Sequence, residues 1–267
     1  MTARVLIIAG SDSGGGAGIQ ADLKTVTALG AYAATAVTAL TAQNTLGVQG
    51  IVAVEPAFVE QQMRLVLEDI GADALKTGML HSRAVIETVV EAASRYAAGA
   101  PLVADPVMIA KGGAPLLQPD AISAVREVLV PAAAVLTPNL PEAEALLGAK
   151  IRDVEDMRAA ARALVDLGAK AALVKGGHLE GDHVVDVLYS AESGERLFEG
   201  PRIETTSTHG TGCTLASAIA AGLAARLPLG DAVDRARRYV VLAMRAAPGL
   251  GRGHGPLWHG HTVTRFD

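Results

Sequence analysis

The sequence predicts an α/β fold with a mostly parallel sheet covered by helices on both faces. Short apolar runs alternate with longer segments of helical period along the 267 residues, which is the pattern of successive β–α–β units. Half the chain is hydrophobic and 19% is charged, enough apolar material for a core on each side of a sheet. No long Ser/Pro/Gly linker, charge block or repeat breaks the alternation, so residues 1–267 are expected to form one domain.

Each element has its own reason. Residues 5–9 are a continuous apolar run, as a strand buried on both faces requires, and 17–29 have helical period. Strands follow at 35–42, rich in Thr and Val, and at 50–54. Pro56 opens a helix to about residue 70, at a first-turn position where its missing N–H costs nothing. A strand at 74–77 leads to a helix at 82–96 with Ser82 as its cap. Strands at 102–104, 135–137 and 172–175 alternate with helices at 121–130, 142–147 and 153–167. Residues 184–188 and 196–199 suggest an antiparallel hairpin or edge, and helices at 211–226 and 231–246 complete the core.

Composition excludes several functions. The formal net charge of −5 argues against a nucleic-acid backbone as partner. With three Phe, one Trp and four Tyr there are few rings on which bases would stack. The stretch between Lys24 and Glu55 is uncharged, but its threonines, Gln43, Asn44, Gly47 and Gly50 suit buried strands better than a membrane span. Residues 1–10 lack the length and cleavage pattern of a secretory signal. A single cysteine makes no internal disulfide, which points to a reducing cytoplasm.

In parallel sheets, ligands sit beyond the carboxyl ends of the strands. Here those ends carry Ser11-Asp12, Gln43-Asn44, Asp105, Asn139 and Lys175. The Gly-rich stretch from Gly10 to Gly18 lets a ligand approach the backbone, with amides able to donate to it. It fits G-x-G-x-x-A loosely, yet no acid occurs between Asp22 and Glu55 to hold a dinucleotide ribose, and no Walker A loop occurs anywhere. Downstream, Thr208-His209-Gly210-Thr211-Gly212-Cys213 leads into an apolar helix. The amides of Gly210 to Cys213 at that helix start form an anion site. Cys213 lies in the first turn, where the helix N-terminus is expected to lower its pKa from about 8.5 toward neutrality. Asp105 and Glu142 are oxygen ligands suited to Mg²⁺, and Lys175 reaches over the sheet edge toward a polyphosphate. A cation, two carboxylates and an anion loop on one edge point to phosphoryl transfer. His254, His259 and His261 read as loop residues, Arg235, Arg237 and Arg238 as a solvated helix face, and residues 110–113 as a candidate lid.

These residues resemble a known family. Ser11–Asp22 (SDSGGGAGIQAD), TAQNTLG from Thr41, KTGML from Lys76, DPVM from Asp105, TPNLPE from Thr137, KGGH from Lys175, THGTGC from Thr208 and GHGPL from Gly253 occur in order. The chain is similar over about residues 4–260 to the hydroxymethylpyrimidine/phosphomethylpyrimidine kinases, a branch of the ribokinase-like superfamily. The resemblance implies a ribokinase-like three-layer α/β/α sandwich with a mostly parallel central sheet. It also implies ATP- and Mg²⁺-dependent phosphorylation of 4-amino-5-hydroxymethyl-2-methylpyrimidine, then of its monophosphate. Pyridoxal kinase, or use of both substrates, is the alternative. Carried over, Gln43 pairs with the pyrimidine, and Gly10, Ala17, Met79 and Asp22 line its pocket. Lys175 and Thr208 contact ATP phosphates, Asn139 and Glu142 serve the ATP site, and Asp105 with Glu142 holds the metal. The Gly210, Thr211, Gly212 and Cys213 amides stabilise the transferred group, and Cys213 acts as base. Most sugar kinases of the superfamily have Asp at the position of Cys213. A cytoplasmic homodimer is also implied.

Overall fold

The structure, a computed structural model, describes residues 2–109, 116–118 and 120–263. The candidate lid at 110–113 lies outside the described residues. Nine strands form one sheet: β1 (Arg4–Asp12), β2 (Tyr32–Asn44), β3 (Gly47–Ala53), β4 (Ala74–Thr77), β5 (Leu102–Ala104), β6 (Val135–Leu136), β7 (Ala171–Lys175), β8 (His183–Ser190) and β9 (Gly194–Pro201). Their order across the sheet is β3-β2-β1-β4-β5-β6-β7-β8-β9. The six strands from β2 to β7 in that order run parallel, and antiparallel strands close both sides.

The helices are α1 (Gly18–Ala28), α2 (Pro56–Asp69), α3 (Arg83–Tyr96), α4 (Ala121–Ala124), α5 (Val130–Ala132), α6 (Leu140–Leu147), α7 (Val154–Asp166), α8 (Thr211–Ala224) and α9 (Leu229–Arg245). Period two in β1 sorts them into two layers. Leu6 and Ile8 pack with α2, α3, α6 and α7, whereas Val5, Ile7 and Ala9 pack with α1, α8 and α9. The two cores together give the expected three layers. Caps set several boundaries. Ser82 Oγ accepts from Val85 N–H at 3.4 Å before α3, and Asp153 caps α7 through Asp156 N–H at 2.9 Å.

Several boundaries differ from expectation by two residues or more, and three are instructive. β1 runs three residues beyond 5–9, so Ser11 and Asp12 lie in the strand. β2 covers 32–44, because its polar end from Thr41 to Asn44 pairs with β3 beyond the point where an apolar run would stop. The helix expected at 121–130 is three pieces, with a π-helical stretch over Val125–Leu129 between α4 and α5. Lengthening β2 matters most, because it carries Gln43 onto a rigid strand.

Candidate active site

A cavity of about 1300 Å³ opens along the carboxyl ends of the parallel strands. It exceeds the usual span of single-ligand pockets, so it has room for a nucleotide and a small ring together. Gly10, Ala17, Gln43, Met79, Asp105, Asn139, Glu142, Lys175, Thr208, Gly210, Thr211, Gly212 and Cys213 all line it. Its polar groups fall into two ends.

One end is charged. Lys175, the last residue of β7, places Nζ 3.0 Å from Asp105 Oδ1, just after β5. Thr137 Oγ1 donates to the same oxygen at 3.2 Å. Burial alone would drive Lys175 down, but Asp105 and then Glu142 hold its pKa above the ordinary value, so it stays an ammonium. Gly212 sits directly over the pair: a Cβ there would lie 3.3 Å from Lys175 Nζ and 3.5 Å from Asp105 Oδ2. The absence of a side chain at 212 therefore opens the α8 N-terminus to whatever Lys175 holds. In the first turn of α8, the amides of Gly212 and Cys213 have no backbone acceptor among the described residues. Thr211 N–H departs from expectation, because it reaches Thr208 O at 3.4 Å. Gly210 takes φ +83°, and a Cβ there would fall on Gly16 O, which locks the α8 turn against the Gly-rich loop.

Asn139 and Glu142 form a capping box at α6. Asn139 Oδ1 accepts from Glu142 N–H at 2.9 Å, and Glu142 Oε2 accepts from Asn139 N–H at 2.8 Å. Burial, reinforced by Asp105 and opposed by Lys175, pushes the Glu142 carboxyl up to about 7. Among the described residues no group of three or more His, Cys, Asp or Glu gathers as a metal cage. Mg²⁺ seldom uses one; it takes one or two carboxylates and substrate phosphates. Asp105 Oδ2 and the strained charge of Glu142 fit that chemistry.

The other end surrounds Gln43. Met79 packs so closely on Gly10 that a Cβ at 10 would meet its Cε. Here the structure corrects one expectation. The Gly-rich loop amides do not face a ligand, because Asp12 takes them: Gly14 N–H at 2.7 Å, Gly16 at 3.0 Å and Ala17 at 2.8 Å. His209 Nε2 contacts the same carboxylate at 2.8 Å. Burial would raise Asp12, but His209 and these amides hold it below the usual carboxylate range.

Asp22 is a second correction. It is fully buried beneath the cavity and does not line it. Lys76 Nζ pairs with both its oxygens at 2.9 and 2.8 Å, and Ser217 Oγ donates to it at 2.7 Å. Burial would drive Lys76 down, but Asp22 and the more distant Asp105 hold it above its ordinary value. Removing one member of such a pair strands the other charge. Asp22→Asn is expected to cost about 3–5 kcal/mol of stability, read by urea denaturation; a shift under about 1 kcal/mol, as for an exposed pair, refutes it.

Cys213 is the third. Its sulfur accepts from Gly18 N–H at the start of α1, yet enclosure pushes the thiol up to about 12, with Lys76 only partly offsetting burial and the carboxylates of Asp22 and Asp105. The residue rests as a thiol, because desolvation outweighs the helix N-terminus.

Two further readings change. Arg237 is not on a solvated face: its Nε donates to Asp186 Oδ2 at 2.8 Å, and Asp186 Oδ1 accepts from Gly176 N–H at 2.9 Å, bracing the turn after Lys175. His259 is buried, with Nε2 2.9 Å from Thr214 Oγ1 on α8. Burial, helped by Lys24 and His261, lowers its pKa to about 4. The C-terminal segment also joins both ends of the site. Gly253 and His254 bind Thr45 through Oγ1 (3.3 Å) and the carbonyl (2.9 Å). Gly255 N–H reaches Thr206 O at 3.1 Å, and His209 N–H reaches Gly255 O at 3.0 Å. Lys76 and His209 had sequence signals only as members of the KTGML and THGTGC motifs, and Asp186 only as a lone acid in an apolar run.

The chain is 54% identical over 255 residues to the thiamine biosynthesis bifunctional protein ThiED of Geobacter sulfurreducens, covering 96% of this chain and 52% of that protein; it thus spans about half that relative's length. It is 49% identical over 264 residues to the hydroxymethylpyrimidine/phosphomethylpyrimidine kinase of Rhizobium meliloti, covering 98% of each. Among solved structures, an ADP complex of Bacillus subtilis pyridoxal kinase superposes with TM-score 0.89 at 35% identity, covering 98% of both chains. The phosphomethylpyrimidine kinase of Clostridium difficile does so with TM-score 0.79 at 41% identity, covering 89% of this chain and 97% of that one. Residues 12–258 match the family described as phosphomethylpyrimidine kinase. That span runs from the carboxylate of the Gly-rich loop to the C-terminal segment bracing both ends of the cavity, and the chain belongs to the phosphomethylpyrimidine kinase family.

Proposed function

We propose that the protein transfers the γ-phosphoryl group of ATP to the hydroxymethyl group of 4-amino-5-hydroxymethyl-2-methylpyrimidine, and then phosphorylates the monophosphate. The observation that carries this reading is Gly212 over the Lys175–Asp105 pair, in the same cavity as Gln43. In a loose transition state, charge spreads over the transferred oxygens, and positioning with electrostatics supplies most of the rate. The Gly212 and Cys213 amides and the Lys175 ammonium face that charge. Thr208, Asn139 and Glu142 border the nucleotide end, while Gly10, Ala17 and Met79 wall the ring end around Gln43. Mg²⁺ would be held by Asp105 and Glu142, neutralising phosphate charge. The thiolate form of Cys213, a small fraction at neutral pH, receives the hydroxyl proton and becomes the thiol.

We further propose a cytoplasmic homodimer. The outward cross-strand pair Leu40–Val52, 53% and 66% exposed on the sheet's edge hairpin, offers apolar surface for a second copy, which sedimentation reads directly. No described helix is long and apolar enough to cross a membrane. Product analysis with ATP and Mg²⁺ tests the function. The pyrimidine is expected to yield mono- and then diphosphate, at a higher kcat/KM than pyridoxal gives. Phosphorylation of pyridoxal alone refutes it.

A further inference from the structure

The Gln43 backbone is held from both directions by one hydroxyl. Its N–H donates to Ser13 Oγ at 3.0 Å, and its carbonyl accepts from that Oγ at 2.9 Å. The side-chain amide can still present either end, since NH₂ and oxygen are nearly isosteric. One neighbour decides it. His209 Nε2 lies 2.8 Å from Asp12 Oδ2 and 3.4 Å from Gln43 Nε2, so the amide stands with its NH₂ toward the ring. Asp12 also receives N–H groups from Gly14, Gly16 and Ala17, an environment that favours the carboxylate. A carboxylate only accepts, so Nε2 carries a proton whether the ring is neutral or charged. A ring N–H repels an amide NH₂ and attracts an amide oxygen.

We infer that His209 turns the Gln43 amide over from that placement and fixes the order of acceptor and donor along it, with oxygen on the His209 side and NH₂ on the far side. The inference rests on the reading that Gln43 receives the pyrimidine. In that substrate the amino-bearing carbon stands between ring N3 and the carbon that bears the hydroxymethyl group. The amino group donates to the Gln43 oxygen, and N3 accepts from the NH₂. The hydroxymethyl group, on the amino side of the ring, is thereby carried toward His209 and the adjoining Gly210, where the α8 turn begins. The reverse order turns the ring over and sends the reacting hydroxyl away from that turn. His209 is thus a positioning residue that acts through Gln43, with Asp12 holding its proton in place.

The test measures kcat/KM for the pyrimidine and for its 4-desamino analogue. Wild type is expected to prefer the amino compound about tenfold, the size of one net hydrogen bond. In His209→Ala that ratio collapses toward one, while the KM for ATP is unchanged. His209→Gln restores the preference, because its NH₂ can donate to both Asp12 and Gln43. An unchanged ratio in His209→Ala overturns the inference. Should the variants not fold, a crystal structure of wild type with the pyrimidine decides: the amino group lies nearer His209 than N3 does, and the reversed ring overturns it. Turnover with the reversed ring defeats this inference alone, whereas no turnover by wild type defeats the proposed function and this inference with it.

Discussion

Lys175→Met is expected to lower kcat by roughly 10²–10³, the loss typical of one preorganised charge-stabilising donor, with the KM for the pyrimidine nearly unchanged. The split follows from geometry. Lys175 stands at the charged end beneath Gly212, in contact with Asp105 and away from Gln43. The substitution has a second consequence with a definite sign. Lys175 is the charge that pulls the Glu142 carboxyl down, with backbone N–H groups of Asn139 and Met108, against burial and Asp105; the balance places it at about 7. Without the ammonium, Glu142 holds its proton to higher pH, so the variant's residual activity shifts its acidic limb upward. Steady-state kinetics between pH 6 and 9 reads both effects. A variant that loses pyrimidine affinity but keeps kcat would place Lys175 at the wrong end of the cavity.

Cys213→Ala is expected to lower kcat by about 10²–10⁴, the range for a lost general base, and to leave the KM for ATP nearly intact. Its pH dependence is the sharper measurement. A thiol at about 12 is almost wholly protonated at neutral pH. The thiolate fraction that takes the hydroxyl proton therefore grows about tenfold per pH unit below that value. The wild-type to Cys213→Ala ratio of kcat should climb with pH from 6 to 9 with a logarithmic slope near one. Dividing by the variant removes the titration of Glu142, which both proteins share. A ratio constant with pH would make the thiol a shape in the pocket and not a proton acceptor.

Much of the fold was legible because it depends on local periodicity. The apolar runs of β1, β4, β5 and β7 and the amphipathic α3, α7 and α9 declare themselves, as do the caps at Ser82 and Asp153. The site was legible where a motif ends a strand, as at Asp105, Lys175 and Gly210–Cys213. What sequence reasoning misplaced depends on long-range packing. Gln43 lies within β2 because β3 pairs with the strand's polar end. Asp22 is inside because Lys76, 54 residues away, meets it there. The Gly-rich amides looked free until Asp12 folded back over them, and Arg237 looked solvated until Asp186 met it. The Cys213 thiol shows the same limit. A helix N-terminus can be seen in the sequence, but the desolvation that outweighs it cannot.

The backbone bridge made by Gly253 to Gly255 bears on how the enzyme comes into being. It couples Thr45 to Thr206 and His209, joining Thr45 to a segment 208 residues later in the chain. While the ribosome is still adding residues, the parallel strands can already assemble, because their contacts lie among neighbours already translated. The backbone brace from Gly253 to Gly255 adds to the direct His209–Asp12 contact once the stretch just past residue 250 has emerged. A nascent chain stopped short of it would carry nearly every strand and helix described above, yet lack this additional backbone link across its cavity.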